Sequence, residues 1–151
     1  MIRPVGVAHV NINVTDLGRA ERFYTEILGC KVVFKYEGTI IWLNFGQYKE
    51  GAGGLGQGFH DLALYKVPYP VPEDYRKRAG LNHVALRLRR PEDVDAAAEF
   101  LRSQNVNVLK GPHTHKEDGD RYLYLEDPDG NVIELVSSTV PDWPRDYLAS
   151  E

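Results

Sequence analysis

V-A-H-V-N-I-N-V, residues 7–14, and L-N-H-V-A-L-R-L, residues 81–88, share one rhythm, and each carries a histidine in its third place. In the first stretch Ala8, Val10, Ile12 and Val14 alternate with Val7, His9, Asn11 and Asn13, which predicts a strand with one apolar face and one polar face. Placing His9 on His83 sets a shift of 74 residues, and the same shift carries Val10 to Val84, Ile12 to Leu86, Ile27 to Leu101 and Val32 to Val106. Agreement of strand phase and helix phase under one shift is the mark of a duplicated unit. Applied to Glu134, the shift lands on His60, so the two halves are expected to present two pairs of equivalent candidate ligands.

The elements around these strands follow the same plan twice. After the first, Ala20, Phe23, Tyr24, Ile27 and Leu28 form a helical stripe from Arg19 to Leu28, with Asp16 as cap and Gly29 as stop. Strands are expected over Lys31 to Tyr36 and Thr39 to Phe45, and a Gly-rich loop through Gly58 leads into H-D-L-A-L-Y-K-V from His60. In the second half, P-E-D-V-D-A-A-A-E-F-L-R-S from Pro91 predicts a helix, V-N-V-L follows, and two strands flank the turn D-P-D-G-N. The expected fold is α+β, with two tandem βαβββ modules forming a curved mixed sheet around a metal-binding cavity. The expected single domain spans 1–151: module 1 at about 5–67, a proline-rich linker at 68–80, module 2 at 81–140 and a tail at 141–151. Trp143 and Tyr147 in that tail are expected to dock on the body or on a partner subunit.

Charge and composition narrow the class of partner. Eighteen basic and 22 acidic residues give a formal charge of -4 with no basic block, which argues against nucleic acid or an anionic membrane and for a small molecule. The single cysteine, Cys30, rules out an intramolecular disulfide and fits a reducing compartment. The chain enters strand-like sequence directly, without a leader pattern or a membrane-length apolar run, so a soluble cytoplasmic protein is expected.

Y-L-Y-L-E-D-P-D-G-N-V-I-E-L-V, residues 122–136, supplies the chemistry. Glu134 stands among Val132, Ile133, Leu135 and Val136, and a buried carboxylate is costly unless it is paired or coordinated. Arg87 or Arg121 could pair with it. A cation is the other partner. Strand phase puts His9, Asn11, Asn13, His60, His83, Tyr122, Tyr124 and Glu134 on the polar faces. Two imidazoles and one carboxylate, His9, His83 and Glu134, make a triad that neutralises the acid, leaves positions open for substrate, and suits iron(II) first and manganese(II) next.

The blocks H-V-N-I-N-V-T-D-L, F-Y-T-E-I-L-G-C-K-V, L-N-H-V-A-L and Y-L-E-D-P-D-G-N-V-I-E-L resemble the vicinal oxygen chelate superfamily over nearly the whole chain. H-D-L-A-L at His60, N-H-V-A at His83, and the spacing of His115, Tyr124 and Glu134 resemble the catalytic domain of its type I extradiol catechol dioxygenases. The resemblance implies His9, His83 and Glu134 as metal ligands, His60 as acid/base, and His115 and Tyr124 as donors to substrate. It implies a ring-cleaving enzyme that takes a small aromatic diol and dioxygen, and a homodimer. The chain departs from those dioxygenases in having only one pair of modules, which leaves the substrate open. Two alternatives stand beside this reading. One is a glyoxalase- or epimerase-like isomerase or lyase, a class that calls for a second carboxylate near His60, where Asp61 faces the other way by phase. The other is a bleomycin-resistance-like protein that binds a planar drug without turnover. His60 could also serve as a fourth ligand.

Overall fold

The alternation around His9 becomes a strand only from Val10 onward, because Val10 is the first residue paired with a neighbour, Leu62. The same holds in the second half, where β5 begins at Val84, one residue after His83. The computed structural model describes residues 1–4, 6–46 and 60–138. Residues 47–59, which hold most of the Gly-rich loop, and 139–151, with Trp143 and Tyr147, lie outside that description. The chain divides into two units, Met1–Pro70 and Val71–Glu151.

In the first unit β1 (Val10–Val14), β2 (Lys31–Tyr36), β3 (Ile40–Asn44) and β4 (Leu62–Lys66) form a sheet in the order β1-β4-β3-β2, with β1 and β4 parallel. The helix α1 (Leu17–Arg22) starts two residues earlier than its stripe predicts. The Asp16 carboxylate accepts from the Arg19 N–H at 2.8 Å, and this bond holds the carboxyl below the usual range. The helix widens into a π-turn over Phe23–Ile27 that buries the adjacent rings of Phe23 and Tyr24. Gly29 then ends it at φ 72°, a conformation glycine adopts without cost.

In the second unit β5 (Val84–Arg87), β6 (Val108–Thr114), β7 (Asp120–Glu126) and β8 (Val132–Ser138) form a sheet in the equivalent order β5-β8-β7-β6. The helix α2 spans Pro91–Ser103, as the sequence predicts, with the Asp93 carboxylate accepting from the Arg90 N–H. Its buried side chains, Val94, Ala98 and Leu101, recur at helical spacing, and it packs on β6, β7 and β8. Leu123, Leu125, Ile133 and Leu135 share one phase of β7 and β8 and are all buried, so each fully buried Leu or Ile contributes roughly 2–3 kcal/mol. The opposite phase carries Tyr122, Tyr124 and Glu134. Residues 71–80, expected as a linker, fold with this unit: Arg76 pairs with Glu126 at 2.7 Å and the Tyr75 hydroxyl donates to the Leu81 carbonyl.

The strands form two four-stranded mixed sheets, one to each βαβββ module, as the duplicated plan predicts. One expectation is corrected: the equivalence of His60 with Glu134 fails. In the first unit Val10 pairs with Leu62, whereas its counterpart Val84 pairs with Ile133, so the shift between modules is 74 at the first strand and 71 at the last. Three more residues separate the paired strands of the first unit. The counterpart of Glu134 is therefore Ala63, and His60 corresponds to Asn131.

Between Lys110 and His113, β6 carries one extra residue against β7, since Lys110 pairs with Tyr124 but His113 with Tyr122. Gly111 makes this bulge, at φ 91°, where an added Cβ would lie 2.6 Å from the Tyr122 carbonyl oxygen and 2.9 Å from the Leu123 Cα. Neither backbone atom can swing aside. Gly111→Ala is expected to destabilise the protein by about 2 kcal/mol or more, read as a lower denaturant midpoint at unchanged slope.

Candidate metal centre

β8 is buried at all seven positions, and Glu134 lies at its middle with 7% of its surface exposed. Pairing across the sheet places Ala85 on one side of it and Tyr124 on the other. His83, one residue ahead of β5, shares the phase of Ala85 and meets the acid: Nε2 lies 3.0 Å from Glu134 Oε2. Its other nitrogen, Nδ1, lies 2.8 Å from Asn82 Oδ1. An amide oxygen only accepts, so Nδ1 donates to it, and Nε2 stands at hydrogen-bond distance from the carboxylate, where a ring proton or a bound cation can join the two. Buried carboxylate, imidazole lone pair and an oriented second nitrogen are the parts from which divalent-metal sites are made.

One rival partner of Glu134 is accounted for. Arg121 is engaged by the Asp95 carboxylate, with Nε 3.3 Å from Oδ2. The Tyr124 hydroxyl donates to Glu134 instead, and the phenol is held above its ordinary range, first by burial and then by the charges of Glu134 and Tyr122. Tyr124 thus stays protonated at neutral pH and keeps its donor.

Four rings run along this face: His115 stacks on Tyr122 at 3.9 Å, Tyr122 meets Tyr124 at 5.5 Å, and Tyr124 meets His83 edge-on at 5.1 Å. His115, expected among a polar loop, is drawn onto the sheet by that stack. The first unit has its own line of rings. His60 lies flat on Trp42, with centroids 4.5 Å apart and 7° between planes, and His9 tilts against His60 at 4.5 Å. Phe34 follows Trp42 at 4.7 Å.

Among the described residues no three ligating side chains come together within either unit; His83 and Glu134 do as a pair, and His9 belongs to the first unit. Asp61 takes no part, as its phase predicts, since its carboxylate accepts from the Phe45 N–H. Cys30 is buried, and burial followed by the Asp61 charge pushes its thiol up to about 11, which leaves it inert as a nucleophile. Trp42, Asn82 and Lys110 escaped the sequence reading. Trp42 was visible only as the polar-phase residue of an otherwise apolar strand, and Asn82 only as the neighbour of a histidine.

The family model described as Glyoxalase/Bleomycin resistance protein/Dioxygenase superfamily matches residues 6–135. The chain belongs to that superfamily. It is 30% identical over 148 residues to a 2-epi-5-epi-valiolone epimerase of Actinomyces sp, covering 88% of this chain and 79% of the relative. It is 26% identical to a probable lactoylglutathione lyase of Vibrio cholerae, covering 87% of this chain and 90% of that one. Among solved structures, a mutant of the fosfomycin resistance protein FosX from Listeria monocytogenes, complexed with Mn(II), shares the fold at a TM-score of 0.66 and 17% identity, over 91% of this chain and 94% of its own. The two relatives carry the names of an epimerase and a lyase; neither is named for ring cleavage. No helix among the described residues is long and apolar enough to cross a membrane.

In this superfamily member Tyr124 is expected to ionise above the ordinary tyrosine range, followed by ultraviolet difference titration with Tyr124→Phe as reference. Its folded-state value lies above its unfolded one, so its contribution to stability is present below about pH 10 and fades as pH rises through the folded value. Glu134→Gln, which removes the neighbouring charge, is expected to bring that ionisation down toward the ordinary value.

Proposed function

We propose that the protein is a metal-dependent isomerase or lyase acting on a small substrate with two neighbouring oxygens, at least one of them on a carbon that loses and regains a proton. The observation that carries this reading is the buried Glu134 carboxylate facing Nε2 of His83 at 3.0 Å. The names of an epimerase at 30% identity and of a lyase at 26% support it over ring cleavage. His83 and Glu134 would hold the metal; a ligand role for His9 rests on the family resemblance alone. When bound, a divalent ion supplies positive charge that favours proton loss beside a substrate oxygen.

The chain's own residues do the rest. Asn82 keeps the proton on Nδ1 of His83, so the ring presents Nε2 as a donor pair. Tyr124 donates to Glu134 and fixes the orientation of the carboxylate. His60 is the acid/base: it takes the proton as the C–H bond breaks, the electron pair staying with the substrate, and returns a proton to carbon. Its flat stack on Trp42 limits the rotations of the imidazole and holds it for both transfers. Ala63, the counterpart of Glu134, can act as neither base nor ligand.

Extradiol cleavage of a catechol with dioxygen is the second reading, favoured by the ring line that brings His115 and Tyr124 onto the Glu134 face. Protein purified without oxygen, loaded with manganese(II) or iron(II), separates the two. Incorporation of solvent deuterium into 2-hydroxycarbonyl substrates, without oxygen uptake, supports the isomerase. Oxygen uptake with catechols and no exchange supports the dioxygenase, and absence of bound metal overturns both.

The ligand set makes its own prediction, read by metal analysis. Glu134→Ala is expected to abolish metal binding, and Asn82→Ala to weaken it about tenfold to a hundredfold. His60→Ala should keep the metal and lose turnover by about a hundredfold or more.

A further inference from the structure

The face of the second sheet that carries Glu134 holds more positive charge than the metal ligands use. Pairing aligns two rows across β6, β7, β8 and β5: Lys110, Tyr124, Glu134 and Ala85, then His113, Tyr122, Val136 and Arg87. Glu134 is the one acid in these rows. Lys110 and His113 stand three apart in sequence and would face opposite ways in a regular strand. The bulge at Gly111 puts both on the tyrosine face.

Three basic side chains gather there on one ring. His115 stacks on Tyr122 at 3.9 Å, His113 meets it edge-on at 6.3 Å, and Lys110 Nζ lies 5.5 Å from its centroid. Tyr122 itself is buried, at 4% exposed. Among the described residues the one carboxylate within ion-pair distance of the three is Glu117, 3.9 Å from His115 Nδ1 and itself exposed. An ammonium and two imidazoles grouped around a phenol supply donors for an anion.

We propose that Lys110, His113, His115 and Tyr122 form an oxyanion subsite that binds a carboxylate or phosphate group of the substrate. Lys110 stands two strands from Glu134, roughly 10 Å between backbones, so the charged group lies a few bonds from the reacting oxygens. The substrate class is thus an anionic small molecule. This rests on the isomerase reading for the place of those oxygens, while the subsite itself needs no metal.

The test titrates inorganic phosphate, and separately acetate, into the full chain stripped of metal, at constant ionic strength, following the ring signals of His113 and His115 by NMR. One or both anions are expected to saturate the shifts, with Lys110→Met weakening binding about tenfold and Glu134→Gln leaving it in place. A preference for phosphate or for acetate names the oxyanion. Failure of both anions to saturate, binding by Lys110→Met equal to that of the parent, or loss in Glu134→Gln would each overturn the subsite. A protein that binds the anion but takes up no metal would sink the isomerase reading and leave the subsite standing.

Discussion

A carboxylate at the centre of a strand buried at every position is the constraint around which the second unit is built. Water cannot relieve it, so its charge must be met by fixed groups. Its neighbours in the sheet are consistent with that demand: an alanine on one side leaves room for His83, and a tyrosine on the other supplies a hydroxyl. Asn82 then decides which imidazole nitrogen faces the acid. The result is a carboxylate and an imidazole nitrogen 3.0 Å apart, a pair that a proton or a cation can bridge.

Duplication supplied the frame, and the two copies were put to different uses. Positions equivalent by register are Ala63 and Glu134, and their cross-strand partners Trp42 and Tyr124. Where the second unit has an acid and a phenol, the first has a methyl group and an indole. The small Ala63 can be buried with no polar partner, and the indole offers a flat surface to His60. The first unit therefore presents rings and an imidazole, the second a carboxylate with its orienting donors. Division of this kind leaves one carboxylate to be neutralised at these two equivalent positions rather than two.

Much of this was readable from residue type and phase. Alternation marked the polar faces that carry His83, Tyr124 and Glu134, and the Pro91 and Gly29 signals bounded helices closely. The positions that resisted are those where one residue changes the count. The bulge at Gly111 reverses the phase of β6 beyond it, so Lys110 and His113 could not be assigned to one face by alternation. Three extra residues in the first unit carried His60 off the position of Glu134, although a uniform shift had matched them. Stacking was hidden as well: nothing in the polar run around His115 shows that its ring lies flat on Tyr122.

The sequence by itself determined the duplicated βαβββ plan, the apolar and polar faces of most strands, and the residues able to meet a metal. Those properties follow from the period of each element and the chemistry of each side chain, both local. Only the tertiary structure decided the strand register, which sets Ala63 rather than His60 opposite the role of Glu134, and the contacts of His83 with Asn82 and Glu134. Register depends on loop lengths and bulges summed along the chain, and contact depends on how distant segments pair, so neither is written in any single stretch of residues.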